Sequence, residues 1–486
     1  MVNSFTSLGI VATVVIGTVL FALFSARRVR MSPQEYIVGG RGFGTVFLWV
    51  LLAGEIYTSF TFLGAAGWTY GFGAPAFYIM AYGTCGFVLG YFLLPSIWRL
   101  GKDHGLLTSP DFFAQRYGSK PLMVLVALIS CVAVIPYVTL QLSGLQIFLT
   151  IAGYGQIDAQ NGAVLSFLII IGFVFASGLR GTAWASIVKD ALVIGALIFV
   201  GLAIPIHFFG SPAAMFDQLV RAHPASLSLQ SVTGVHGTVW FMTTVLLTGI
   251  GFYMGPHSIA AVYSAKDANA LRRNAAFLPL YQLVMLLVFF AGFSALLIVP
   301  GLKGTAADQS FLVVVQRFYP PWVLGFVAAA GALCALVPAT ALLLSAGSIV
   351  AKNIVGDCFG RALDDRSRLI TTRAMVVVLG LVALGLWLAF KTTLVELLLL
   401  YYNGITQFAP AFIFGFLWRR TSTLGVMLGI IGGTSVALVL ALTGASVWGA
   451  NPGFIGLIFN VAILTAVSLM KKSPSADELS ISPAPV

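Results

Sequence analysis

The stretch Ala53-Gly54-Glu55-Ile56-Tyr57-Thr58-Ser59-Phe60-Thr61-Phe62-Leu63-Gly64 lies in the middle of an apolar run of about 45 to 70. The run is long enough to cross a bilayer, yet its centre carries a carboxylate, glycines and a row of hydroxyls. A carboxylate at that depth is costly and marks a functional site by default. Backbone freed from helical bonding is tolerated there only where it is buried in protein or lines a cavity. The segment is therefore read as a broken helix, unwound near Ala53–Thr58. A second candidate break, Thr248-Gly249-Ile250-Gly251 followed by Gly255-Pro256, comes five apolar segments later. That offset is what a 5+5 inverted repeat predicts. The plain alternative is that glycine is simply common in this chain, at 52 of 486 residues.

Composition makes lipid the main solvent. Charged residues are 8% and hydrophobic residues 59%, with a mean hydropathy of +1.00, against roughly 25% charged residues in soluble domains. Taking about 20 apolar residues per span, the chain holds about 13 segments, near 4–26, 45–70, 74–98, 121–152, 160–179, 182–208, 236–256, 275–300, 320–351, 369–390, 393–415, 421–443 and 452–470. The first, from about Phe5 to Phe24, is long enough to be a retained span rather than a cleaved leader. The net charge of +11 comes from short basic clusters between apolar runs, a positive-inside pattern and not a nucleic-acid surface. With the N-terminus outside, 22 of the 26 Lys and Arg fall inside, Lys189 among them; only Arg221, Lys303, Arg317 and Lys391 fall outside. Cys85, Cys131, Cys334 and Cys358 form no metal-site spacing and are expected as free thiols.

Several ordered motifs resemble the sodium:solute symporter family. They are YIVGGR (Tyr36 to Arg41), TSPDFFAQRYG (Thr108 to Gly118), PYVTLQLSG (Pro136 to Gly144), SGLRGTAW (Ser177 to Trp184) and the Q-x-x-P-x-x-x-x-G-x-x-W-R-R exit (Gln407 to Arg420). AGEIYTSFTFLG (Ala53 to Gly64), SIVKD (Ser186 to Asp190), GPHSIAAVYSAKD (Gly255 to Asp267), RRNAAFLP (Arg272 to Pro279) and ALVPAT (Ala335 to Thr340) resemble its bacterial monocarboxylate permease branch. The resemblance implies an all-α, LeuT-type inverted-repeat bundle working by alternating access on pyruvate, lactate, acetate or propionate. It implies one transporter domain over 1–486, with an extra helix at 1–35, a core at 36–443, and a last helix and tail at 444–486. One departure concerns the ion. The family's sodium site uses hydroxyls on the ninth segment, where this chain has Val337 and Pro338, and an acid in the sixth-segment hairpin, where it has Ser186.

The candidate substrate-binding residues are Glu55, Tyr57, Thr58, Ser59, Gln141, Thr248, Tyr253, Tyr401, Asn403 and Gln407. Hydroxyls, amides and half-helix N-termini suit a carboxylate, although each such residue alone is more often a helix–helix bond. Glu55 is either a proton carrier or a structural acceptor for broken-helix N–H groups. His257 is a weaker candidate. Lys189 is either one more cytoplasmic charge or a cation that bonds helix carbonyls in place of sodium, with Asp190 as a conditional counter-ion. No cofactor or metal is expected, and the coupling ion, H+ or Na+, stays undecided.

The expected function is secondary active import of small monocarboxylates across the cell inner membrane, with the C-terminus cytoplasmic. The alternative is a sodium-coupled symporter of an amino acid such as proline. A channel would show a repeated filter, a haem or metal enzyme clustered histidines, and a sensor an appended domain; the sequence shows none of these. The expected partners are a small carboxylate and the bilayer, with no nucleic acid and no obligatory protein partner.

Overall fold

The computed structural model describes residues 2–26, 38–54, 56–361 and 363–470. Glu55 lies outside the described residues, as do 27–37 and 471–486, so the candidate roles of Glu55 and the start of the YIVGGR motif have no structural account. The long helices are α1 (Val2–Ala26), α2 (Thr45–Gly54), α3 (Ala65–Phe72), α4 (Tyr78–Asp103) and α5 (Lys120–Ala152). They continue with α6 (Ala159–Gly178), α7 (Gly181–Phe209), α8 (Thr238–Gly251), α9 (Pro256–Ser264), α10 (Ala268–Ile298) and α11 (Pro321–Cys358). The last four are α12 (Asp365–Ala389), α13 (Leu394–Leu417), α14 (Thr423–Thr443) and α15 (Pro452–Met470).

Among the described residues, eleven helices are long and apolar enough to cross a bilayer, and the bent pair α8 and α9 makes twelve. The difference from the expected 13 is the second segment. Its residues form α2, too short to span alone, then a turn at 56–58, a π-helical stretch Phe60–Gly64 and α3. The second break falls later than expected. Helix α8 stays intact through Thr248–Gly251, and the chain unwinds over 252–255 with a bend of 44°. Pro256 explains the position: it has no N–H to give and its φ suits a first helical residue.

The core is built around α11, 94% buried over its apolar window, flanked by α5. At the far end of the chain, glycines on α14 and α15 let the backbones touch; a Cβ at Gly433 would collide with Gly456 O. This close approach is the usual route to tight helix association in lipid.

The basic face is tied shut by polar contacts. Phe43 N donates to Ser264 O at 3.1 Å and Lys266 N to Phe43 O at 2.9 Å. That short bridge joins the entry of α2 to the exit of α9, and Trp98 Nε1 seals it with a 2.7 Å bond to Ala265 O. The TSPDFFAQRYG loop folds as a helix, Ser109–Tyr117, started by a Thr108/Asp111 capping box. Asp111 accepts from Lys352 Nζ at 2.6 Å, Asn353 Nδ2 at 2.7 Å, Leu107 N at 2.8 Å and Thr108 N at 3.0 Å.

Burial alone would push the Asp111 pKa up, but the Lys352 pair and these donors outweigh it and hold the pKa below its ordinary value. Its stabilisation is therefore complete above the usual carboxylate pKa of about 3.9 and fades as pH falls through the lowered value. Asp111→Ala leaves the Leu107 and Thr108 N–H groups without their acceptor, and Lys352 and Asn353 with Asp357 alone. We expect it to cost about 2–4 kcal/mol, read as a lower thermal unfolding midpoint at pH 7 in detergent. The half-exposed Asp357→Ala should shift the midpoint far less.

Candidate functional site at the α2–α3 break

Where α2 stops, Gly54 and Tyr57 present carbonyl oxygens with no helical partner of their own. Lys189, on α7, fills that gap. It is fully buried, and Nζ donates to Gly54 O at 3.0 Å and Tyr57 O at 3.3 Å. Asp190 Oδ1 lies 3.0 Å from the same nitrogen. An ammonium has three N–H donors, and here it faces two main-chain oxygens and one carboxylate. Lys189 is thus held inside the helix bundle. Gly54 keeps the seat open: a Cβ there would lie 3.3 Å from Lys189 Nζ. Cys334 of α11 lies near Lys189 and Asp190, and Val337 and Pro338 are buried on the same helix. Ser186 is not spare either, since its hydroxyl donates back to Thr182 O at 2.9 Å.

The other candidates divide into three groups. Around the α2–α3 break, Thr58 starts the next helix: its Oγ1 accepts from Phe60 N at 3.2 Å and its carbonyl from Phe62 N at 3.0 Å. Tyr57 donates to Tyr281 O at 2.9 Å, and the two rings meet edge to face. Gln141 Oε1 accepts from Ser59 N at 3.3 Å, while Gln141 Nε2 and Ser59 Oγ are buried with no partner. Around the second break, Tyr401 packs on Tyr137 at 4.9 Å and on His257 at 6.2 Å between ring centroids. Helix α9 begins there at Gly255 with no side-chain cap. The third group faces elsewhere. Gln407 Nε2 donates to Gly453 O at 3.1 Å and its Oε1 accepts from Asn460 Nδ2 at 3.1 Å, a clamp onto α15. Asn403 packs on Gly453, Tyr253 on Gly90 of α4, and Thr248 Oγ1 bonds back to Thr244 O at 2.6 Å.

The profile of the sodium:solute symporter family matches residues 36–433. The chain belongs to that family. An uncharacterized symporter, YhjB of Bacillus subtilis (strain 168), is 39% identical over 96% of this chain and 98% of its own length. YodF of the same organism, also an uncharacterized symporter, is 33% identical over 98% and 96%. A monocarboxylate transport permease protein of Rhizobium johnstonii is 27% identical over 90% of each chain. Among solved structures, a Na+-coupled sialic acid symporter in a substrate-bound outward-open state matches with a TM-score of 0.79 at 16% identity, covering 97% of this chain and 99% of that one. Mhp1, a nucleobase-cation-symport-1 family transporter, matches at 0.58 and 13% identity, covering 93% and 99%. These likenesses establish the LeuT-type fold, and the family makes the chain a multi-pass secondary transporter and not an enzyme.

Tyr281 and Asp190 deserved a place in the candidate set and were missed or left conditional. The Tyr281 hydroxyl sits beside the Asp190 carboxylate, so the acid touches both Lys189 and α10. Adjacent helical residues point about 100° apart, which hides such a pair from spacing arguments. The four cysteines are free, with Cys131 and Cys334 buried. Among the described residues no group of His, Cys, Asp and Glu is placed to hold a metal ion.

Removing one partner of a buried charge set leaves the others unpaired, at about 3–5 kcal/mol. Lys189→Met is therefore expected to lower the thermal unfolding midpoint sharply. Lys189→Met combined with Asp190→Asn should recover part of the loss, because the stranded carboxylate is gone. A double variant as unstable as the sum of the two singles would mean that the acid and the amine do not interact.

Proposed function

We propose that the chain imports small monocarboxylates such as pyruvate, lactate, acetate or propionate, coupled to protons rather than sodium. The observation that carries the ion is the Lys189 ammonium, seated on Gly54 O, Tyr57 O and Asp190. A tethered cation occupies the oxygens that an inorganic cation would need, and the hydroxyls of the family's sodium pattern are replaced by Val337 and Pro338. Protonated, the amine ties the α2–α3 break to α7. Deprotonated, it keeps two N–H donors for three oxygens and no longer offsets the Asp190 charge, which weakens the tie between α2 and α7. Proton gain and loss then stand in for ion binding and release.

The carboxylate reading draws on Ser59 Oγ and Gln141 Nε2, two buried donors without partners on residues joined by the Ser59 N to Gln141 Oε1 bond. Buried donors are costly to leave unmade, and a small anion can satisfy both. The name of the Rhizobium johnstonii relative points the same way. Glu55 is proposed as a second proton-carrying group. The Lys and Arg distribution supports a plasma-membrane protein with its N-terminus outside and C-terminus inside, and we read 1–486 as one transporter domain.

Uptake of labelled pyruvate into proteoliposomes tests this reading. We expect accumulation to follow an inward proton gradient and to be equal in sodium and choline media. Lys189→Met should lose the pH dependence. Glu55→Gln should abolish accumulation yet keep pyruvate exchange, which moves no net proton. A sodium requirement in the wild type would overturn the proton reading. Labelled proline taken up in place of pyruvate would overturn the substrate and favour the amino-acid alternative.

A further inference from the structure

At the face opposite the basic one, an acid is buried with no charge partner among the described residues. Asp308 belongs to a short 3-10 turn, Gly304–Gln309, in the connection from α10 to α11, and is 4% exposed. One carboxylate oxygen accepts from Leu394 N, the first residue of α13, at 3.0 Å. The acid also lies directly on α3: a Cβ at Gly67 would collide with Asp308 side-chain and main-chain atoms. Only a glycine allows that approach. The same connection is held to α3 by Tyr70, whose hydroxyl donates to Val299 O at 2.7 Å and accepts from Leu302 N at 2.9 Å.

The charged surroundings are sparse. Helix α13 contributes Glu396, a second acid that opposes ionisation of Asp308. Helix α3 contributes no charged side chain between Ala65 and Phe72, and its only titratable group there is Tyr70. His236 packs on Trp68 and Phe72 and feels Glu396. Among the described residues no lysine or arginine pairs with Asp308. A carboxylate in that setting has one N–H to stabilise its charge and loses its water.

We propose that Asp308 is a proton-binding site at the outer face, taking up a proton as the 299–309 connection closes over α3 and the start of α13. It rests on alternating access and on no particular solute or coupling ion. Burial, offset in part by the Leu394 N–H and reinforced by Glu396, pushes the Asp308 pKa up to about 7. In an open, hydrated state the ordinary value of about 3.9 applies. The raised value belongs to the closed state, so closure is favoured at low pH. The preference falls about tenfold per pH unit between those two values and is gone above the higher one. External acid thus holds the outer face shut, and external base releases it.

The test is a distance measurement between spin labels at Lys303→Cys and Lys391→Cys, both exposed positions, in a chain with its four native cysteines replaced. In lipid nanodiscs the closed, short-distance population should fall relative to the open one by roughly fiftyfold in ratio from pH 5 to pH 7, with little change above pH 8. Asp308→Asn keeps an oxygen for Leu394 N–H without a charge, so it should stay closed at every pH. Asp308→Ala, which keeps neither, should be shifted toward open and be equally insensitive. Distances in the wild type that ignore pH, or a pH response retained in Asp308→Asn, would overturn the proposal. The readout needs no transported solute, so a failed pyruvate assay leaves it intact.

Discussion

Breaking a helix inside a bilayer releases main-chain carbonyls, and hydrogen-bond donors have to meet them. In this chain the released oxygens are those of Gly54 and Tyr57, and the donor is Lys189. An unsatisfied backbone group in hydrocarbon costs several kcal/mol, so the lysine amine stabilises the break by meeting two of its carbonyls. The geometry of the neighbours follows from that. Gly54 has to lack a side chain beside the amine, Asp190 has to turn toward it, and Tyr281 has to stand where Asp190 arrives.

The two breaks solve the same backbone problem by different means. The α2–α3 break consumes its own polar residues: Thr58 caps the following helix, Tyr57 bonds α10 and Ser59 N bonds Gln141. The α8–α9 break uses Gly255-Pro256 and surrounds the start of α9 with the rings of Tyr137, His257 and Tyr401. One side therefore holds a cation that belongs to the chain, and the other holds a helix N-terminus, the end that favours negative charge.

Much of the fold was legible because lipid imposes one rule on every span. Length and hydropathy located the segments, and a glycine beside polar residues located the α2–α3 break. The second break was misplaced by a few residues because glycines at 249 and 251 were weighed above Pro256, although proline is the stronger punctuation. The site was less legible. Gln407 looked available, but Asn460 and Gly453 on α15 use it, and pairings across about 50 residues of sequence leave no local signal. Thr248 looked equally available, yet a threonine in a helix can bond its own i−4 carbonyl. Lys189 sits near other basic residues in sequence, so charge counting placed it at the interface. Only the replacement of the family's ion-site residues by Val337, Pro338 and Ser186 suggested otherwise. Asp308 gave no signal, because a lone acid in an outer connection reads as solvated; the clue was Gly67 on a different helix.

A tethered cation changes what the transport cycle can exchange with its surroundings. A bound inorganic ion leaves with its full charge and its hydration restored. Lys189 is part of α7, so it cannot leave its seat as a free ion. The seat joins α7 to the end of α2, and the entry of α2 is joined to α9 by the Phe43–Ala265 bridge. The ten residues of α2 therefore carry both contacts, the bridge at one end and the seat at the other.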